Sequence, residues 1–262
     1  MIRLTVLLCA LGLLVAYGLP ECGVRNAECG IAGESSILDA RPLDRTLTDT
    51  FRIPHSALRI PHSASLTIGR LHYDGGGDWY TGPSKLANLL AAIHQRTGLP
   101  VAERERVVAL DSPDLWDIPY LYMTGHGNVH FSDEEAKTLR RYLEQGGFLH
   151  ADDDYGMDKS FRREIARVFP DHPLVEVPLT HAIYHVPYDF PKGIPKIYEH
   201  DGLPAQGFGI FLGDRLVVYY SYQSDLGDGW EYPEVHHDTP ELHEAALRMG
   251  VNLFTYAVSS TR

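Results

Sequence analysis

Between residues 66 and 258 the spacing of apolar residues alternates between the strand period and the helix period, and short turns bearing Gly or Pro separate the runs. Few folds accept that pattern. Leu66-Thr-Ile-Gly-Arg-Leu-His-Tyr73 predicts a strand, followed by the turn Asp74-Gly-Gly-Gly-Asp78. Pro83 opens a helix, Leu86, Leu89, Leu90 and Ile93 recur at helical spacing, and Gly98 closes it. Residues 107–110, 120–123 and 148–151 predict three more strands. Ser132 and Glu135 have the spacing of a capping box for a helix to about Gln145. Asp158 is expected to cap another helix, with Phe161, Ile165, Val168 and Phe169 inward and Pro170 as its stop. Short connections between such elements imply right-handed βαβ units, hence a mainly parallel sheet with helices on both faces. Residues 175–222 break the alternation. Within them, residues 207–220 predict a hairpin turning at Gly213-Asp214. Thr239-Pro240 starts a last helix.

The segment before this domain reads differently. Arg3, the apolar residues 4–16 and the small residues Ala16 and Gly18 have the layout of a secretory signal over residues 1–18. The apolar run is shorter than the ~20 residues of a membrane span, so no span is expected in the mature chain; an uncleaved anchor is the alternative. Residues 19–65 are expected to be a low-order linker. They hold a tandem duplication, in which Phe51-Arg-Ile-Pro-His-Ser-Ala57 is followed by Leu58-Arg-Ile-Pro-His-Ser-Ala64. Two copies are too few for a solenoid. A net charge of −12, without a Lys/Arg cluster, disfavours nucleic acid and anionic lipid as partners.

Ligands of open parallel sheets bind beyond the carboxyl ends of the strands, and the unusual residues collect there. The first strand runs into His72, Asp74, Gly75, Gly76, Asp78 and Trp79. The third runs into Gly125, His126 and Gly127, and the fourth into His150, Asp152, Asp153, Asp154 and Tyr155. Imidazole and carboxylate together suit a divalent metal or general acid–base work. Glycines admit close approach to backbone N–H groups. Trp79, Tyr80, Tyr155 and Trp230 are candidates to stack on a sugar face. Each piece also has a plain alternative. The aspartates fit a glycine turn or a solvated loop, and His126 fits packing between glycines. His181 and His185 are four apart, but Pro178 and Pro187 flank them and disfavour a helix. His236-His237 is a weaker metal candidate.

Several of these runs, Leu71-His-Tyr-Asp-Gly-Gly-Gly-Asp-Trp79, Tyr122-Met-Thr-Gly-His-Gly127, Gly146-Gly-Phe-Leu-His-Ala-Asp-Asp153 and Gly227-Asp-Gly-Trp-Glu231, resemble the bacterial domain-of-unknown-function 4159 family. The resemblance spans residues 66–258. It implies an envelope setting and the class I glutamine-amidotransferase-like fold, shared with trehalose-utilisation-type proteins, but no established reaction. The expected fold class is α/β: a flavodoxin-like or class I glutamine-amidotransferase-like three-layer sandwich with a mainly parallel sheet and a C-terminal hairpin insertion. The chain departs from true amidotransferases at the decisive residue. Their chemistry needs an activated cysteine, and no cysteine follows Cys29. The expectation is therefore a small-molecule site. His126, His150 and Asp152 are its candidate catalytic groups. Asp74, Gly75, Gly76, Asp78, Trp79, Gly125, Gly127, Asp153 and Tyr155 are its candidate ligand-binding groups. A divalent metal is compatible with this set. The reaction would be binding or hydrolysis of a carbohydrate-like molecule, and the rival is a non-catalytic envelope binding or accessory protein.

Export would remove Cys9 and permit a disulfide between Cys22 and Cys29. Mass spectrometry of protein from its native host should find a new terminus near residue 19 and those two cysteines joined. An intact Met1 in the cytosolic fraction, with both thiols reduced, would overturn export.

Overall fold

The computed structural model describes residues 65–260; the signal-like segment, the cysteines and the duplicated repeat lie outside the described residues. The strands are β1 (Ile68–Leu71), β2 (Arg106–Val108), β3 (Tyr120–Met123), β4 (Phe148–Asp152), β5 (Val175–Glu176), β6 (Gln206–Leu212) and β7 (Arg215–Tyr222). The helices are α1 (Lys85–Thr97), α2 (Asp133–Glu144), α3 (Asp158–Val168), α4 (Pro233–His236) and α5 (Pro240–Ser260). All seven strands form one sheet in the order β2-β1-β3-β4-β7-β6-β5. β2, β1, β3, β4 and β7 are parallel. β6 runs against β7, and β5 against β6. The parallel part has the strand order of flavodoxin-like sheets.

Side chains alternate across the sheet and build a core on each face. Tyr120 and Tyr122 of β3 and Phe148 of β4 pack with Leu86, Leu89 and Ile93 of α1 and with Met249, Leu253 and Phe254 of α5. Leu121, Met123, Leu149 and Ala151 face the other way, against Leu139 and Leu143 of α2 and Phe161 and Ile165 of α3. The result is a three-layer α/β/α sandwich. Buried on both faces, β3 and β4 expose nothing, as central parallel strands must. The first core is rich in tyrosine, and its hydroxyls have partners. Tyr120 Oη lies 2.9 Å from His150 Nδ1, and Tyr184 and Tyr219 pair at 3.1 Å. Asn252 of α5, fully buried, donates to the Ile183 and Tyr188 carbonyls and accepts from Tyr188 N, pinning the irregular segment before β6.

Most helix ends follow the sequence. Ser132 Oγ accepts from Glu135 N and the Glu135 carboxylate accepts from Ser132 N, completing the capping box. Gly98 ends α1 with φ +71°, a left-handed conformation that glycine adopts without strain. One expectation changes. Asp158 is the first residue of α3, after Met157 in the capping position. Its carboxylate takes Arg162 Nε at 2.6 Å and Tyr220 Oη at 3.0 Å, so it offers charge to the helix start without capping it. The hairpin turns at Gly213 as expected. β7 inserts beside β4 and becomes the fifth parallel strand, so its carboxyl end joins the same rim as those of β1, β3 and β4. No helix among the described residues is long and apolar enough to cross a membrane.

Ser132→Ala removes one half of the capping box and should cost about 1 kcal/mol. In a domain of this size that lowers the melting midpoint by roughly 2–4 °C. An unchanged midpoint would show that the cap contributes nothing.

Candidate functional site

The carboxyl ends of β1, β3, β4 and β7 open into a cleft of about 380 Å³, lined by Thr81, His126, Asp154, Tyr198, His200, Asp225, Asp228, Glu231 and His236 among others. Its geometry starts with Arg70 on β1. That buried guanidinium donates to the carbonyls of Thr81 at 2.7 Å and Gly82 at 3.1 Å, and so fixes the loop leading into α1. Lys85, the first residue of α1, is fully buried. Its ammonium lies 3.0 Å from Asp228 and 3.7 Å from Asp154. Burial alone would lower its pKa, but the charges of Asp154, Asp228 and Asp152 more than reverse that, so it stays a cation. Two further bonds dock α1 on the segment after β7: Ser84 Oγ to Glu231, and Asn88 to the Trp230 carbonyl, both at 2.9 Å.

Asp152 forms the floor of this arrangement. Its carboxylate accepts from Tyr122 Oη at 3.0 Å, from Leu226 N at 3.2 Å, from Gly227 N at 2.6 Å and from Ser221 Oγ. Burial raises its pKa in spite of those donors and of Lys85. Asp225 is 1% exposed and holds a left-handed backbone at φ +52°. Burial, then the surrounding aspartates, push its carboxyl up to about 9. His200 Nε2 bonds its Oδ2, while its Oδ1 has no hydrogen-bond partner. Asp154 is also raised, first by burial, with Lys85 opposing.

At the mouth, Asp78 and His126 form a dyad. Asp78 Oδ2 lies 3.0 Å from His126 Nδ1, and Asp78 Oδ1 accepts from His126 N. Burial would raise the Asp78 pKa, but the bonds from His126 outweigh it and hold the carboxylate below its ordinary value. Gly125 makes the close approach possible. Its φ is +141°, and a Cβ there would come within 2.6 Å of Tyr73 Oη and 3.0 Å of Asp78. On the opposite wall His236 Nε2 lies 2.9 Å from Glu231 and its Nδ1 3.6 Å from Asp228. Tyr155 stacks flat on His200 with ring centres 4.4 Å apart.

Of the residues marked in the sequence, His126, Asp154, His236 and His237 line the cleft, Asp78 backs His126, and Tyr155 backs His200. The others lie elsewhere. His150 is sealed in the first core between Tyr120 Oη and Ser221 Oγ, with no open face and a pKa lowered to about 3 by burial. Asp152 is fully bonded beneath the cleft. Asp153 faces Gln223 N, and burial pushes its carboxyl up to about 6. Asp74 is exposed and pairs through its backbone with His130. Gly75 and Gly77 pack against the Asn128 backbone, and Gly76 and Gly127 have positive φ. Trp79 packs against His72 with the rings tilted by 44° and their centres 4.5 Å apart. Trp230 is a core residue that donates to the Ala246 carbonyl. His181 and His185 flank a 3-10 turn: His181 Nδ1 accepts from Ile183 N, and His185 is occupied by Asp189 and the Leu179 carbonyl.

Lys85, His200, Asp225 and Asp228 were missed. Lys85 did leave a trace, since it precedes Leu89 by four residues and thus shares the apolar face of α1.

The family model described as a domain of unknown function, DUF4159, matches residues 67–258. No curated protein matches the chain.

The neutral, buried His150 makes stability depend on pH. Its folded pKa lies below its unfolded value of about 6.5. The unfolded chain therefore binds an extra proton between those values, and stability falls as pH drops from about 6.5 toward 3, by up to about 1.4 kcal/mol per unit. Asp153 and Asp225 act in the opposite direction, so the useful quantity is the difference between wild type and His150→Gln. Urea melts at pH 7.5, 6.0 and 5.0 should show wild type losing stability relative to the variant as pH falls. A constant difference would mean that His150 takes up its proton at the same pH in the folded and the unfolded chain.

Proposed function

The chain belongs to the family described as a domain of unknown function, DUF4159, and we propose that its cleft binds a small, hydroxyl-rich molecule and hydrolyses it by proton transfer through His126. One observation carries this reading: an Asp–His dyad stands at the mouth of an acidic cleft. Asp78 holds the proton on His126 Nδ1, which leaves Nε2 as the basic nitrogen. His126 is half exposed and lines the cleft. In the proposed reaction Nε2 takes a proton from an attacking water, whose oxygen bonds to the electrophilic carbon. The imidazolium then returns the proton to the departing oxygen as the old bond breaks.

The walls favour a sugar-like ligand. Glu231 and His236 present polar edges, while Tyr198 and the Tyr155–His200 stack offer aromatic faces. Asp152 and His150 serve this site by position, since neither reaches it. The same reading places the domain outside the cytoplasm, on the strength of Arg3 and the apolar residues 4–16.

A screen of glycosides and sugar esters supplies the test. Once a substrate is found, His126→Ala should lower kcat by about 10²–10⁴-fold. Asp78→Asn should lower it less and alter the pH profile, because the amide no longer fixes the tautomer. A ligand that binds in the cleft and is never turned over would replace this reading with that of a binding protein.

A further inference from the structure

Asp154 follows β4, whereas Asp225 and Asp228 follow β7. One carboxylate oxygen of each lies within 4.8 Å of the other two. An acidic cluster alone is common on protein surfaces, but this one is not on the surface. Asp225 and Asp154 are 1% and 4% exposed, and both line the cleft. Asp225 Oδ1 and Asp154 Oδ2 are buried and accept no hydrogen bond from the protein. A buried carboxylate oxygen without a donor is costly. The nearby donors are otherwise engaged. His200 is committed to Asp225 Oδ2. Lys85 donates to Asp228 and stands 3.7 Å from Asp154, one ammonium among three carboxyl groups. Asp152 adds a fourth carboxyl group beneath them and is saturated by its own partners.

We infer that Asp154, Asp225 and Asp228 together bind one hard divalent cation, of the kind of Mn²⁺ or Ca²⁺, in the floor of the cleft. Carboxylate oxygens are the ligands such ions prefer. At metal–oxygen distances of about 2.1–2.5 Å, oxygens on opposite sides of an ion stand about 4–5 Å apart, which matches the observed spread. His200, bonded to the far oxygen of Asp225, would orient that ligand from behind. The neighbouring trio of Asp228, Glu231 and His236 has similar spacing, yet its atoms are taken. Ser84 occupies one Glu231 oxygen and His236 the other. The inner trio is therefore the better site. The assignment rests on the cleft being the functional site, and it adds a Lewis acid on which substrate hydroxyls or the attacking water can be held.

The test uses the full chain, purified and stripped with chelator. Calorimetric titration with Mn²⁺, and separately with Ca²⁺, should show binding of one ion per chain, and the filled protein should melt higher. Asp225→Asn keeps size and the bond to His200 but cannot ionise to a carboxylate for the cation; it should weaken binding at least tenfold. Asp228→Asn should do the same, which guards against a folding defect in either variant, with each melt recorded alongside. Glu231→Gln should leave affinity within about twofold. No binding to wild type at millimolar ion, or unchanged affinity in both aspartate variants with intact melts, would overturn the site. So would loss of binding in Glu231→Gln alone, which would put the ion in the outer trio. His126→Ala should still bind the ion. Its loss of turnover tests the hydrolytic reading separately, so the two proposals can fail independently.

Discussion

Lys85 carries its charge where two effects oppose it. It is fully buried, and it opens α1, where the helix dipole already presents positive potential. Asp154 and Asp228 offset both effects, and they arrive from different strands. The loops after β4 and β7 can converge on α1 because this ammonium sits between them. Without it, several carboxylates would share one small volume with no counter-charge. Buried ion pairs are in general a weak source of net stability; here the pair fixes where three loops meet. The packing around it is correspondingly tight. A Cβ on Gly82 would fall 1.6 Å from Lys85 Cε, and one on Gly227 would fall 2.1 Å from Tyr122 Oη. Both positions need glycine for room, and Gly82 also needs it for its φ of +65°.

A chain of polar groups links this charge centre to the first core. Tyr120 meets His150, His150 meets Ser221, and Ser221 meets Asp152, which in turn holds the backbone of Leu226 and Gly227. Every link is buried. Groups of this kind, when fully satisfied, specify one arrangement of the segments they join. His150 and Asp152 thus act on the cleft through the loop they hold. That explains how residue types associated with catalysis come to lie in the interior.

Much of the layer architecture was legible in the sequence, because periodicity reports which face of an element is buried. Residues 120–123 coincide with β3, and Ser132 with Glu135 form the expected cap. The site was only half legible. The rim after β1, β3 and β4 was read from chain order, and it yielded His126, Asp78 and Asp154. The direction of β7 could not be read. A hairpin looks the same in sequence whether its second strand extends a parallel sheet or hangs at its edge, since that depends on the long-range pairing of β7 with β4. The residues of the fourth loop, Asp225 and Asp228, were therefore invisible as neighbours of Asp154. His126 and His150 also look alike in sequence, each beside strand residues and glycine or alanine. Only tertiary burial separates an exposed imidazole from an enclosed one.

The two margins of the sheet are its shortest strands, three residues in β2 and two in β5. Unpaired strand edges are templates on which other chains can add, and brevity is one way proteins deny them length. Five parallel strands form slowly because their partners are distant in sequence. During that time the incomplete sheet would present longer edges than the finished one. The β6–β7 hairpin is local, and once docked on β4 it covers the longest of them. The same hairpin that completes the cleft thus also covers the edge of β4, and leaves two-residue β5 to pair with part of its own outer strand.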